Sequence, residues 1–105
     1  MTALPVRSIR IGAVDWTLEL DERADEDEIY GVTLADKQLI RISPALTGWK
    51  ARETVIHELL HAITRTAWTP KDKAALTEEQ VKLVAGLLTG IVRDNPVLMS
   101  WLTQP

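Results

Sequence analysis

The stretch Trp49-Lys50-Ala51-Arg52-Glu53-Thr54-Val55-Ile56-His57-Glu58-Leu59-Leu60-His61-Ala62-Ile63-Thr64-Arg65-Thr66 decides the reading of this chain. Val55, Ile56, Leu59, Leu60 and Ile63 recur at the spacing of one helical face, and Thr47 or Gly48 stands where a cap is needed, so the pattern predicts a core helix from about Trp49 to Thr66. Within it lies His57-Glu58-Leu59-Leu60-His61, the pattern H-E-x-x-H. Side chains four apart on a helix project from the same side, so both imidazoles can reach one cation. Glu58, about 100° further round, can reach a water on that cation. The chain has only 2 histidines, and random placement would put two of them in this pattern roughly once in several hundred trials.

Upstream of this helix the period changes from 3.6 to 2. Val14, Trp16, Leu18 and Leu20 alternate with Asp15, Thr17 and Glu19, the signature of a half-buried strand, and Ile9 and Ile11 flank Arg10 in the same way. Gly12-Ala13 supplies the turn of a hairpin between them. Ile29 to Leu34 and Gln38 to Ile42 form a second candidate pair around Ala35-Asp36-Lys37, and Ser43-Pro44 closes the β half. Between the pairs, Asp21 to Glu28 holds six acidic residues and one basic, which predicts a solvated loop. It lacks the spacing and the glycine of a calcium loop. Downstream, Trp68 to Lys73 reads as a loop around Pro70. Thr77 with Gln80 predicts a capping box, followed by a second helix with Val81, Val84, Leu88, Ile91 and Val92 as its apolar stripe. Asn95-Pro96 ends that helix, and Val97 to Leu102 is expected to dock as a further turn or two through Trp101.

These elements predict an α+β fold in a single domain over residues 1–105: a short antiparallel N-terminal sheet of three or four strands, packed on the H-E-x-x-H helix and a second, C-terminal helix. The 105 residues are 46% hydrophobic and 26% charged, an ordinary globular mixture. Four tryptophans and no phenylalanine predict that a few large rings fill a small core. A net charge of −3 argues against nucleic acid as a partner. No apolar run approaches the ~18–20 residues needed to cross a bilayer, and Met1 to Arg10 has no secretory apolar stretch, so no membrane partner and a cytoplasmic location are expected. With no cysteine, any metal must bind through nitrogen and oxygen.

Zinc in a catalytic site takes three protein ligands and keeps one position open. Two histidines therefore need a carboxylate partner, and the first turn of the second helix offers Glu78 and Glu79. Acids there are favoured by the helix dipole in any case, so their presence alone does not choose between them.

The block Thr54 to Ile63, followed by Glu78-Glu79 and a helix ending in Arg93-Asp94-Asn95-Pro96, resembles the small gluzincin-like zinc metallopeptidases often encoded by bacteriophages and prophages. The resemblance spans roughly residues 29–102. It implies a minimal zincin-like fold, His57 and His61 as zinc ligands, and Glu58 as catalytic base. It further implies a later glutamate as third ligand, which opens an E-x-x-x-x-x-x-G pattern in thermolysin-like members. Glu79 to Gly86 has that spacing, so the resemblance implies Glu79, with Glu78 held in reserve. Leu83 stands where thermolysin-like members carry an aspartate.

The expected function is a zinc-dependent metallopeptidase that hydrolyses peptide bonds in a peptide or protein substrate through a zinc-bound water activated by Glu58. The alternative is a binding or regulatory module in which a structural Zn2+ staples two helices. Leu39 to Ile42 is a candidate rim strand for substrate. Tyr30, Arg41, Arg52 and Arg65 are candidate oxyanion donors, and Trp68 is a candidate pocket wall.

Overall fold

A computed structural model of the chain describes residues 4–23, 30–67 and 76–105. Four strands, β1 (Ser8–Ile11), β2 (Val14–Leu20), β3 (Gly31–Leu34) and β4 (Leu39–Ile42), are followed by α1 (Gly48–Ala67), α2 (Glu78–Asp94) and α3 (Pro96–Leu102). The two hairpins form as the alternation predicts. Gly12, at φ +59°, turns β1 into β2. A 3-10 turn at Ala35–Lys37 followed by Gln38 in the left-handed region turns β3 into β4.

The sheet is mixed, where an antiparallel one was expected. Its order is β1-β2-β4-β3, and β2 runs parallel to β4, with Leu18 beside Ile40 and Leu20 beside Ile42. The second strands of the two hairpins therefore meet at the centre. Strand β4 carries the side chains with most to gain from that place, because Ile40 and Ile42 are completely buried while β3 is only half-buried along its length. Strands covered on both sides by neighbours suit such apolar runs.

One face of the sheet packs on α1. Trp16, Leu18, Ile40 and Ile42 meet Leu46, Ala51 and Ala62 there, with Val55 and Leu59 at the margin. The indole N–H of Trp16 donates to Thr66 Oγ1 at 3.1 Å and ties β2 to the last turn of α1. On the opposite face, Arg41 pairs with Glu19 at 3.0 Å and with Asp21 at 3.3 Å. Arg23 donates to Asp21 through its side chain and its amide, which together hold that carboxyl down at about 2.

Helix α2 begins as the capping box predicts. The Gln80 amide donates to Thr77 Oγ1 at 3.1 Å, and the Thr77 amide to the Gln80 side-chain oxygen at 2.9 Å. Its buried residues are Val81, Ala85 and Thr89, while Val84, Leu88 and Ile91 of the expected stripe are exposed. The helix is apolar over most of its circumference, so periodicity alone could not orient it. The expectation of a tryptophan-filled core also fails in part: Trp16 is buried, but Trp49 and Trp101 are exposed, and α3 does not dock through Trp101. Trp68 and most of the acidic run lie outside the described residues. Among the described residues, no helix is long and apolar enough to cross a membrane.

Candidate metal centre

His57 and His61 leave the same side of α1 with their ring centroids 5.1 Å apart. Both turn Nε2 toward one carboxylate: His57 lies 2.7 Å from Glu78 Oε1, and His61 lies 2.8 Å from Glu78 Oε2. One ligand atom from each of the three residues falls within 4.8 Å of the others, and this group can hold a metal ion. The donor set is two imidazole nitrogens and a carboxylate oxygen, the chemistry that borderline divalent ions such as zinc accept.

Glu79, the expected third ligand, is not in the group; Glu78 takes that place. The rotation of α2 explains why. Val81 and Ala85 are buried against the rest of the fold, and Glu78 precedes them by three and seven residues, so it shares their side of the helix. Glu79 stands four and eight residues before Leu83 and Leu87, both of which face solvent. The series 78, 81, 85, 89 is present in the sequence, but the expected stripe joins Val81 to Val84, Leu88, Ile91 and Val92 instead, and Glu79 rests on the spacing to Gly86 that the resemblance implies. Glu78 is the first residue after the Thr77 cap, at the start of α2.

Glu58 stands between the histidines and β3, lines the cleft on each side of the group together with Glu78, and is only 6% exposed. The Thr33 hydroxyl lies 2.9 Å from Glu58 Oε2 and 3.1 Å from the Glu58 backbone carbonyl, two acceptors for its one hydrogen, with the carboxylate the nearer. Burial pushes the Glu58 carboxyl above its ordinary range, opposed by the Thr33 hydrogen bond and the neighbouring imidazoles. Sequence reasoning missed Thr33, because a threonine in a short strand carries no sign of what it will face.

It also missed Gly31. A Cβ there would come within 2.9 Å of both Glu58 Cγ and Thr54 Cγ2, and within 3.3 Å of Ile42 Cδ1. The glycine lets the β3 backbone approach α1 closely enough for Thr33 to hold Glu58. Gly31→Ala is therefore expected to destabilise the fold by about 1–3 kcal/mol, although alanine ordinarily suits a strand better than glycine. A thermal melt checks this: Tm should fall by at least ~4 °C, and an unchanged or higher Tm would show that the gap can accommodate a methyl group.

Two shallow clefts of about 280 and 250 Å³ flank the centre. Arg65 lines the first, beside Thr33 and His61; Tyr30, Lys50 and Lys82 line the second. Of the four candidate oxyanion donors, Tyr30 and Arg65 stand at the rim. Arg41 is paired on the far face of the sheet, and Arg52 stacks on Trp49 at 4.5 Å. The candidate rim strand also changes. Leu39–Ile42 is interior, and β3 is the edge strand beside the centre. Comparison of the chain with protein-family models, with curated proteins and with solved structures finds no match.

Proposed function

We propose that the chain is a zinc-dependent peptidase whose metal is held by His57, His61 and Glu78. The observation that carries this reading is Glu58: a buried carboxyl, fixed by Thr33, immediately beside a His–His–Glu group. A metal that merely stapled two helices would need no such base. It would also ordinarily have a fourth protein ligand, and among the described residues the group has three. Glu78 is largely exposed, which leaves the centre accessible from solvent.

Zinc bound there supplies a Lewis acid that acidifies water and polarises a carbonyl. Glu58 accepts the proton of the attacking water and returns it to the leaving amine. Thr33 keeps the carboxylate aimed. The outer edge of β3, which among the described residues pairs only with β4, is available to align an extended peptide as a further strand.

The test is Glu58→Gln in the zinc-loaded protein, with an unfolded protein such as casein as substrate. Zinc content should match the wild type while turnover falls by roughly 10²–10⁴-fold. Undiminished cleavage by the variant, or wild-type cleavage insensitive to chelators, would overturn the proposal.

A further inference from the structure

Helix α2 has two apolar faces, of which only one is covered among the described residues. Val81, Ala85 and Thr89 are buried against the rest of the domain. On the other side, Leu83, Leu87, Ile91, Val84 and Leu88 fill an arc of ~140° at 100° per residue, and all five are exposed, Leu83 and Leu87 at 64% each. No charged side chain interrupts this strip between Lys82 and Arg93. Three residues beyond α2, α3 adds Val97 at 81% and Trp101 at 67%, with Leu98 and Leu102 also exposed. A helix that is apolar on nearly every side is normally a buried helix.

The α2 strip alone leaves on the order of 500 Å² of side chain in solvent per chain, so a symmetric pair of strips buries ~1,000 Å², the size at which a specific interface becomes credible.

We infer that this face is the interface of a homodimer, in which α2 packs antiparallel against α2 of a second copy about a two-fold axis near Leu87. The strip suits a copy of itself. With Leu87 on the axis, Leu83 of each chain meets Ile91 of the other, and apolar meets apolar throughout. A lipid surface fits less well, because interfacial helices are rich in lysine and arginine along their polar face. Here α2 has only Lys82 and Arg93, outnumbered by Glu78, Glu79 and Asp94, on a chain of net charge −3. The strip faces away from Glu78 and the histidines, so pairing leaves the metal centre open and does not depend on its chemistry.

Sedimentation velocity on the intact chain, from ~0.1 to ~100 µM to bracket the micromolar end of standard-size interfaces, should give twice the 11.7 kDa chain mass. Leu83→Glu/Leu87→Glu should weaken association by ~100-fold or more, since it buries opposed carboxylates at the centre, with an unchanged far-ultraviolet circular dichroism spectrum. Because the chain has no cysteine, Leu87→Cys gives an independent reading that leaves the rest of the face intact. A short bis-maleimide should join two copies through that position, and should not do so in Asp36→Cys, on the exposed turn before β4. A wild type that stays at 11.7 kDa throughout, a double variant that still dimerises, or equal cross-linking at both positions would overturn the inference. So would a monomer that floats with neutral phosphatidylcholine vesicles, which would assign the face to lipid.

Discussion

Alanine at His57, at His61 or at Glu78 is expected to cut zinc affinity by roughly 100-fold or more, since even the partners that orient a metal's ligands cost 10–100-fold when lost. Glu79→Ala, one residue from the ligand, should leave it unchanged. The contrast between adjacent glutamates makes the experiment informative, because the two have the same charge and lie in the same helical turn. Only the rotation set by Val81 and Ala85 separates them. Mass spectrometry of zinc content after gel filtration gives the direct reading.

A second reading comes from stability. The centre draws ligands from α1 and α2, so an ion that binds only the folded chain stabilises it by about 4 kcal/mol at a thousand times its Kd. In a domain of this size that corresponds to a Tm rise of at least ~15 °C. The rise should vanish in the three ligand variants and persist in Glu79→Ala. Equal zinc in all four variants would remove the metal centre as described.

Trp16→Ala is expected to destabilise the domain by about 3–5 kcal/mol, a large share of the ~5–15 kcal/mol that small domains possess. Trp16 is buried between β2 and α1, against Leu18, Ile40 and Ala62, and its N–H reaches Thr66 at the far end of the helix. Truncation removes the largest side chain of the core and leaves the Thr66 hydroxyl without this partner. Trp16→Phe keeps most of the packing and should lose less, with about 1 kcal/mol of the deficit attributable to the hydrogen bond. Denaturant unfolding followed by circular dichroism measures both. A deficit below ~1 kcal/mol for the alanine variant would place the weight of the core elsewhere.

What could be read from the sequence was local. The α1 helix, both hairpins and the Thr77–Gln80 box each depend on residues within a few positions of one another, and all are present. The two histidines and Glu58 were legible for the same reason, because four residues of helix fix their relation. What was not legible is what crosses between elements. Strand β4 lies beside β2 because Ile40 and Ile42 gain most at the centre, which only the assembled sheet reveals. The choice of Glu78 over Glu79 follows from packing of α2, not from the spacing to Gly86. Thr33 and Gly31 act on Glu58 across the gap between β3 and α1. In the stripe expected on α2, Val84, Leu88 and Ile91 misled because they face outward, whereas Val81 is buried.

The parallel pairing of β2 with β4 also orders the route by which the chain assembles. Each hairpin closes over a short turn and can zip early, but no turn can bring Leu18 beside Ile40; that meeting requires a long stretch of chain to be immobilised before any contact compensates for it. The union of the two preformed hairpins beneath α1 is then the expected slow event in refolding, with His57, His61 and Glu78 expected to meet only after it, when the helices close over the finished sheet.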